Sequence, residues 1–247
     1  MNNILLLKSA YQREGLWYAF HKGLTYIVKS FIGIMVSSYY EHLSEREPTF
    51  AFQGKIYNYF YHSYNTTWKN ARGVEIPIIQ HIIQGNKGKR ILEVGNVLQH
   101  YAKCHHDIVD LTERYPNVIN CDIEEFHPSR KYDLVVSIST FEHIGCWDDQ
   151  PKQPRRLLGA IGNVMKNVLA PNGRFVITVP LNQNLDMDKY IFDETIKFDS
   201  LWCMKQKDIR INSWEEVSWT EVRTKEFDTH GMWHGENQVI LIGVMNG

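Results

Sequence analysis

The segment RILEVGNVLQ, residues 90–99, decides the fold class of this chain. An apolar run at 90–94 carries a carboxylate, Glu93, beside its end, and Gly95 follows directly. This order predicts a buried strand, a tight turn and a loop. Gly95 can adopt a positive φ angle and lets the backbone approach a ligand closely. Because ligands bind outside the carboxyl ends of the strands in open α/β sheets, the loop predicts a binding site.

Short apolar runs alternate with helical stretches throughout residues 85–247. The predicted elements after the first strand are strands at 107–110, 117–121, 132–138, 174–179 and 217–222, a helix at 155–169 and a last strand at 238–245. The alternation is typical of βαβ units, so we expect a Rossmann-like α/β domain with a mostly parallel sheet and helices on both faces. Residues 181–212 are polar without a sustained period, and we interpret them as an insertion or lid.

Residues 1–84 are rich in aromatic side chains at helical spacing and predict a mainly helical N-terminal extension. Their most apolar stretch, 24–39, has 16 residues. That is fewer than the roughly 20 that span a bilayer. Lysines and aromatic residues surround the stretch. Two interpretations of residues 17–40 stay open: a helix buried in the core, or a helix lying on an anionic membrane face.

The composition excludes several classes of protein. Hydrophobic residues make up 43% and charged residues 22%, which favours a packed core over disorder. The net charge of −1 does not indicate a uniformly basic surface, so no nucleic-acid partner is expected. Four cysteines without a CxxC pair predict free thiols in a reducing compartment. We therefore expect a cytoplasmic protein, peripheral to the inner face of the membrane if residues 17–40 bind lipid.

Two further carboxylates end the next two predicted strands. Asp110 comes 17 residues after Glu93, and Asp122 comes 12 residues after Asp110. A carboxylate at the end of the second strand can accept hydrogen bonds from both hydroxyls of a ribose. One at the end of the third strand can accept from the exocyclic amine of adenine, with Ile123 packed on the ring. Asp often ends strands and caps helices, but three acids at one sheet edge favour a nucleoside site.

These motifs together resemble those of class I S-adenosylmethionine-dependent methyltransferases. The resemblance rests on Glu93-Val-Gly95, Asp110, Asp122, the run YDLVVS at 132–137 and the run LAPNGRFVIT at 169–178, in order over about 160 residues. It implies S-adenosylmethionine as cofactor and a seven-stranded sheet whose last strand, 238–245, is antiparallel. The cofactor-binding residues that it implies are Glu93, Gly95, Asn96, Asp110, Leu111, Asp122, Ile123 and Ser139.

The glycine loop departs from the family's usual pattern. Val97 and Gln99 stand where the family has its second and third glycines. This departure disfavours a dinucleotide oxidoreductase, since that site needs close approach to a pyrophosphate. S-adenosylmethionine has no phosphate, so one glycine can suffice. A scaffold with this fold and no catalytic activity is the alternative that the departure leaves open.

A narrower resemblance concerns the acceptor. The runs EVGNVL at 93–98, SISTFEH at 137–143, FYHSYNTTW at 60–68 and RGVEIP at 72–77 are similar to those of methyltransferases associated with bacterial surface-polysaccharide biosynthesis. This implies methylation of a sugar hydroxyl in a glycan or nucleotide-sugar precursor. Another small metabolite or a lipid-linked intermediate is the alternative acceptor. The sequence does not predict an oligomeric state.

Methyl transfer to a hydroxyl is an in-line displacement that benefits from positioning and from a base. His143 follows the fourth predicted strand and is the candidate base, because histidine ionises near neutral pH. Glu142 is predicted to orient His143 or to bind a substrate hydroxyl. The alternative role for His143 is to cap a helix or line the pocket, and Glu142 can equally be a surface carboxylate.

Two other groups of residues have weaker functional interpretations. Tyr59, Tyr64, Asn65 and Trp68 can cover the cofactor or a sugar face, or pack in the core. His230 and His234 have i, i+4 spacing with Glu236 nearby, but no further ligands converge on them in the sequence. No metal site is therefore predicted.

Overall fold

The computed structural model describes residues 48–146, 153–224 and 238–247, together with Val28 and Met35. Most of the predicted segment 17–40 and all of His230, His234 and Glu236 lie outside the described residues. No helix in the described ranges is both long and apolar enough to cross a membrane.

The described part of the N-terminal region begins with a β-hairpin. Strands β1 (Thr49–Phe52) and β2 (Lys55–Asn58) pair antiparallel. Both turn residues, Gln53 and Gly54, have positive φ angles, as the tightest hairpin turns require. The prediction of a mainly helical extension therefore misses this hairpin. The hairpin strands are short, and their aromatic residues fit a helical spacing as well as the alternation of a strand.

Helix α1 (Arg72–Gln84) follows a 3₁₀ segment, Tyr64–Lys69. The helix buries one apolar face, formed by Val74, Ile76, Ile78 and Ile79, in the same cluster as the β1 residues Phe50 and Phe52. That cluster also contains side chains of the central sheet. The described part of the extension and the sheet therefore share one hydrophobic core. Where the chain divides into domains stays a prediction.

The central sheet has eight strands in the described part of the chain, in the order β5-β4-β3-β6-β7-β10-β8-β9. Its parallel half consists of β3 (Ile91–Val94), β4 (Asp107–Val109), β5 (Val118–Ile119), β6 (Tyr132–Ile138) and β7 (Leu169–Pro180). The carboxyl ends of these five strands lie at one edge of the sheet. The predicted α/β fold with a mostly parallel sheet is thus confirmed.

The other half of the sheet is antiparallel. It consists of β8 (Ser200–Asp208), β9 (Ser213–Val217) and β10 (Val239–Asn246), and β10 lies between β7 and β8. The expected antiparallel last strand is present. The sheet has one strand more than the resemblance implies, because β9 pairs on the outer side of β8.

Residues 181–212 contain regular elements of the fold, so the interpretation of this segment as a polar lid is wrong, while its status as an insertion stays a prediction. The segment contains helix α3 (Leu185–Phe192), which follows α2 (Pro154–Asn163) in the chain, and strand β8 inside the sheet. The sequence pattern conceals β8 because it buries a polar side chain, Gln206, whose amide donates to Asn212 Oδ1 at 2.7 Å. A buried polar residue with a hydrogen-bond partner breaks the apolar alternation without breaking the strand.

Helices α2 and α3 pack on the face of the sheet opposite α1. The contacts to that face come from Leu157, Ile161, Met187 and Ile191. Helix α4 (Trp219–Thr224) adds Val222 to them, so the predicted strand at 217–222 is wrong: strand β9 ends at Val217 and the apolar residues that follow lie on a helix. The predicted helix at 155–169 is confirmed up to Asn163, after which Val164–Val168 forms a π-helical turn. Because helices cover both faces of the sheet, the loops that can form a binding site lie at the carboxyl edge of the parallel strands.

Candidate functional site

A cavity of about 290 Å³ opens at the carboxyl edge of the parallel strands. The loops after β3, β4, β5 and β6 line it. The predicted site residues on its walls are Gly95, Asn96, Asp110, Leu111, Asp122, Ile123, Ser139 and His143. Glu93 and Glu142 do not line it. The structure thus brings eight of the ten predicted residues to one cavity, while their individual roles stay predictions.

Glu93 lies behind the cavity wall and not on it. Its side chain is fully buried, and Oε1 accepts hydrogen bonds from the amides of Val97 and Leu98 at 2.9 and 2.8 Å. Its Oε2 lies 2.7 Å from Nε2 of His106. A direct cofactor contact by Glu93 is therefore not supported, because the loop that it holds screens it from the cavity.

Gly95 is required by its surroundings. Its φ angle is +87°, and a Cβ atom there would lie 2.3 Å from Oγ1 of Thr140. The following residue, Asn96, donates its side-chain amide to Glu113 at 2.7 Å. Its Oδ1 is buried without a hydrogen-bond partner. Buried acceptors are nearly always satisfied in folded proteins, so Asn96 Oδ1 marks a place where a donor from a ligand fits.

Asp110 organises the loop beside it. Oδ1 accepts from the amides of Thr112 and Glu113, both at 2.8 Å, and from the Thr112 hydroxyl at 3.3 Å. Oδ2 accepts from the amide of Asn96 at 3.0 Å. A carboxylate offers about four acceptor positions, so Asp110 has room for one further donor at Oδ2. Both hydroxyls of a ribose do not fit on this carboxylate alone.

Glu113 is the second carboxylate at this end of the cavity. Besides Asn96, it accepts from Nε2 of His100 at 2.9 Å, and its side chain is exposed enough to reach a ligand. It follows Asp110 by three residues in the same loop. Glu113 therefore supplies an acceptor beside the one that Asp110 retains.

Asp122 is in a salt bridge that the sequence did not predict. The Arg156 guanidinium contacts Asp122 Oδ2 and bonds to Glu124 Oε2 at 2.9 Å. Asp122 Oδ1 accepts from the amide of Glu124 at 3.0 Å. Asp122, Ile123 and Arg156 all line the cavity. The carboxylate is thereby fixed in place, which suits an acceptor for an amine.

Arg72 brings a positive charge to the opposite side of the cavity. Its Nη1 donates to Glu75 Oε2 at 3.1 Å and to the carbonyl of Ile138 at 3.0 Å. Glu75 is buried and accepts from Thr178 at 2.6 Å and from the hydroxyl of Ser139. This network fixes Arg72, whose remaining N–H groups can bind a carboxylate in a planar, bidentate geometry.

An aromatic wall closes the cavity on the side of the 3₁₀ segment. Tyr64 stacks on His100 with ring centroids 4.4 Å apart, and Tyr101 meets Tyr64 edge-on. Asn65 also lines the cavity, and both Asn65 and Thr66 have positive φ angles. A β-branched residue in that conformation is strained, and such strain clusters at ligand sites. Tyr59 and Trp68 are buried and belong to the core instead.

His143 stands at the mouth of the cavity with Glu142 behind it. The His143 side chain is 57% exposed, and its Nε2 lies 3.7 Å from Oε1 of Glu142. Glu142 itself is only 2% exposed, and neither of its carboxyl oxygens has a hydrogen-bond partner. Burial raises the pKa of Glu142 to about 8. Its predicted role of binding a substrate hydroxyl requires the hydroxyl to reach it past His143.

Asp188 is a second buried acid on this side. It lies on α3, is 7% exposed, and accepts from the amide of Asn182 through Oδ2 at 2.8 Å. Its Oδ1 has no partner. Burial raises the pKa of Asp188 to about 7, and its charge adds to the raised pKa of Glu142. Asn184 ties the two regions together by donating to the carbonyl of Glu142 at 2.8 Å.

Sequence reasoning missed several residues of this cavity. They are Arg72, His100, Tyr101, Glu113, Thr140 and Arg156. The spacing of Glu113 from Asp110 was a usable signal, because an acid in the loop after a strand-ending acid lies at the same sheet edge. No such pattern pointed to Arg72 or Arg156. Each lies on a helix and bonds to a residue far from it in the sequence, Arg72 to Ile138 and Arg156 to Asp122.

No family model and no curated protein matches the chain. Among solved structures, it is similar to the N-methyltransferase NodS from Bradyrhizobium japonicum in complex with S-adenosyl-L-homocysteine, at 13% identity and a TM-score of 0.42, over 69% of this chain and 84% of that one. It is also similar to an S-adenosylmethionine-dependent methyltransferase from Clostridium acetobutylicum (12% identity, 67% and 88% covered, TM-score 0.34).

A third similar structure is coclaurine N-methyltransferase bound to N-methylheliamine and S-adenosylhomocysteine. It shares 12% identity, with 100% of this chain and 99% of that chain covered and a TM-score of 0.40. At TM-scores this low, the three likenesses do not identify a function for this chain.

Proposed function

We propose that this protein is an S-adenosylmethionine-dependent methyltransferase. The observation that carries the proposal is one cavity at the carboxyl edge of the parallel strands with Gly95, Asp110, Asp122 and Arg72 on its walls. The residues fit the cofactor chemically. Acids at two strand ends suit a nucleoside, an arginine suits the carboxylate of the methionine part, and the orphaned Oδ1 of Asn96 suits a donor.

Each part of the cofactor has residues to hold it. Asp110 and Glu113 each offer an acceptor for one ribose hydroxyl. Asp122 accepts from the adenine amine, and Leu111 and Ile123 pack against the ring. Arg72 binds the carboxylate, because its guanidinium is already oriented by Glu75 and by the carbonyl of Ile138. Oδ1 of Asn96 accepts from the ammonium group.

The bound cofactor supplies an electrophilic methyl group on a sulfonium. His143 is at the mouth of the cavity, where it can take the proton of an acceptor hydroxyl as that hydroxyl approaches the methyl group. Glu142 lies 3.7 Å behind the imidazole, where it can orient the ring. Positioning is the main contribution to the rate of methyl transfer, since holding the two reactants in line removes much of the entropic barrier.

The proposed acceptor is a sugar hydroxyl of a glycan or nucleotide-sugar precursor. The sequence resemblance supports this class. The unpartnered carboxyl oxygens of Glu142 and Asp188 support it as well, because a sugar offers several hydroxyl donors to buried acceptors. Neither acid lines the cavity, so such an acceptor has to displace the residues that cover them. Another small metabolite or a lipid-linked intermediate with hydroxyl groups is the second candidate, on the same observation.

A two-stage experiment tests the proposal. Calorimetry with S-adenosylhomocysteine and with NAD comes first, and we expect one-to-one binding of the former alone. A screen of nucleotide sugars and oligosaccharides with methyl-labelled S-adenosylmethionine comes second. Absence of S-adenosylhomocysteine binding contradicts the methyltransferase. Cofactor binding with label transferred only to metabolites without a sugar contradicts the glycan acceptor and supports the second candidate.

Residues 17–40 are also proposed to contact an anionic membrane face. Val28 and Met35 are both helical, and they are 47% and 59% exposed. The protein is expected to sediment with phosphatidylserine vesicles at low salt and to be released at high salt, because the charge attraction is screened. Lack of sedimentation at low salt contradicts this proposal and favours the buried helix.

A further inference from the structure

A cluster of three potential metal ligands lies outside the cofactor cavity. The carboxylate of Glu93, the thiol of Cys104 and the imidazole of His106 place one ligand atom each within 4.8 Å of the other two. Glu93 is fully buried, and the other two side chains are partly buried. Carboxylate, thiolate and imidazole are the side-chain ligands of zinc, and three of them with one open position form a common zinc arrangement.

Glu93 is already oriented as a ligand. The amides of Val97 and Leu98 hold its Oε1, so Oε2 is fixed and points at Nε2 of His106, 2.7 Å away. Hydrogen bonds that fix a ligating carboxylate raise metal affinity. The contact between Glu93 and His106 is also what a buried hydrogen bond without a metal would show. The thiol of Cys104 favours the metal site, because a hydrogen bond between Glu93 and His106 does not need a third ligand beside it.

The cluster is accessible from solvent. A cavity of about 630 Å³ lies on the side of the sheet where β3 and β4 begin, and both Cys104 and His106 line it. Glu93 closes the inner end of the cluster. His105, between the two ligands in the chain, also lines this cavity but does not belong to the cluster. A path from solvent to the ligand atoms is a condition for a working metal site.

We propose that Glu93, Cys104 and His106 bind a divalent transition-metal ion, with zinc the best match to the ligand set. Zinc lies about 2.0–2.3 Å from such ligands, which sets neighbouring ligand atoms of a tetrahedron about 3.3 Å apart. His106 must therefore draw back from Glu93 by roughly half an ångström, into the cavity that it lines. The metal replaces the hydrogen bond between Glu93 and His106 with two metal–ligand bonds.

Binding also requires the thiolate form of Cys104. Burial, together with the charge of Glu93, raises the pKa of this thiol to about 12, so the metal displaces the thiol proton to solvent as the metal–sulfur bond forms. Glu93 binds as the carboxylate, and Nε2 of neutral His106 carries the proton of their hydrogen bond before the metal arrives. That proton leaves Nε2 for solvent while Nδ1 takes one up, so the imidazole stays neutral and its Nε2 lone pair binds the metal. No oxidation or reduction takes place.

The metal is coupled to the cofactor loop through Glu93. One oxygen of this carboxylate would hold the metal while the other holds the amides of Val97 and Leu98, which lead out of the Gly95 turn. Metal binding is therefore expected to stiffen that loop and to strengthen nucleoside binding in the neighbouring cavity. Only this consequence rests on the proposed function, since the metal site itself does not require a cofactor.

Cobalt titration of the full-length, tag-free protein tests the site. Co²⁺ substitutes for zinc, and a cobalt–thiolate bond gives a charge-transfer absorption band that identifies Cys104 as ligand. We expect one equivalent to bind with that band, and one equivalent of zinc to displace it. Cys104→Ser should abolish the band, and His106→Gln should weaken binding at least about 10–100-fold, the loss seen when only a residue that orients a ligand is removed.

His105→Gln is the matched control, because it removes a neighbouring imidazole from the same cavity without touching the cluster. It should bind cobalt as the wild type does. Absence of a thiolate band in the folded wild type, or equal binding by the His106→Gln and His105→Gln variants, overturns the proposal. Affinity for S-adenosylhomocysteine with and without zinc tests the coupling separately, so failure of the methyltransferase proposal does not affect the cobalt result.

Discussion

The acids on the two sides of the candidate site are treated differently by the fold. On the proposed cofactor side, Asp110 and Asp122 accept from loop amides, Asp122 also contacts Arg156, and Asp110 keeps one acceptor position for a ligand. On the acceptor side, Glu142 and Asp188 are more deeply buried, yet three of their four carboxyl oxygens have no partner. Hydrogen bonds compensate the first pair for the water lost on burial. The second pair lacks such bonds, so its desolvation lowers the stability of the folded protein.

This difference indicates how each side meets its ligand. Partnered acids keep the nucleoside pocket in its binding shape before the ligand arrives, so binding needs little reorganisation. Unpartnered buried acids are destabilising until a ligand supplies donors, and strongly perturbed carboxyls of this kind concentrate at functional sites. We infer that the cofactor side is preformed and that the acceptor side is completed by the substrate.

The largest expected effect is on turnover. His143→Ala should lower kcat by roughly 10²–10⁴-fold, the usual contribution of a general base. Affinity for S-adenosylhomocysteine should change little, because the proposed nucleoside contacts are Asp110 and Asp122 and not His143. Single-turnover assays with the identified acceptor measure the first quantity and calorimetry the second. Turnover within about threefold of wild type would contradict the base role and leave positioning as the main device.

Glu142→Gln separates stability from function on the acceptor side. The folded-state pKa of Glu142 is raised from 4.5 to about 8, so the folded state binds this proton more tightly than the unfolded state. The stability that the neutral carboxyl provides is full below about pH 4.5 and is lost as the pH rises through 8. Glutamine cannot ionise and avoids the loss.

The variant should therefore match the wild type near pH 5 and be more stable near pH 9, by about 3–5 kcal/mol, with lower turnover. Urea denaturation at both values measures this difference. Glu125→Gln is the control, since Glu125 is exposed. A Glu142→Gln variant that gains no stability at high pH would mean that the carboxyl is not buried without partners, and the contrast between the two sides would fail.

Gly95→Ala tests whether the cofactor side is preformed. The added Cβ would lie 2.3 Å from Oγ1 and 2.7 Å from Cγ2 of Thr140, at a φ of +87°. The left-handed conformation and the overpacking together should cost about 2–5 kcal/mol of stability. Gly88→Ala is the control, because it has a similar φ but no atom within 4 Å, and it should cost only about 1–2 kcal/mol.

Thr140→Ala in the Gly95→Ala background should restore part of the stability, since it removes the two nearest atoms. Equal stabilities of the Gly95→Ala and Gly88→Ala variants, measured by denaturation, would show that the loop adjusts freely. The cofactor side would then not be preformed in the way the hydrogen bonds of Asp110 suggest.

Local patterns predicted the parallel half of the sheet well. Strand β6 has the predicted bounds because Leu134, Val135 and Val136 form an uninterrupted apolar run, as expected for a strand buried on both faces. The antiparallel half was harder to predict. In β8 a polar side chain, Gln206, takes a buried position, and only its partner Asn212 in the folded chain makes that position acceptable.

The candidate site divides in the same way. The strand-ending acids and Gly95 were predictable because each lies at the end of a strand by its place in the sequence. The role of Arg72 was not predictable, because Arg72 lies on α1 and donates to the carbonyl of Ile138, which is 66 residues away in the sequence. The loop donors that already bond to Asp110 could not be predicted either. The prediction of two ribose hydroxyls on this carboxylate therefore assumed more free acceptor positions than it has. The burial of Glu142 could not be predicted from its neighbours in sequence.

The most direct test of the account is calorimetric titration of S-adenosylhomocysteine into the wild type and the Asp110→Ala variant. Asp110 is the acid at the second strand end, with one acceptor position left for a ligand. The account predicts one-to-one binding to the wild type and an affinity about 5–150-fold lower for the variant, which is the loss of about 1–3 kcal/mol for polar groups left unpaired. Circular dichroism confirms that the variant is folded. A wild type that does not bind, or a folded variant that binds as tightly as the wild type, would contradict it.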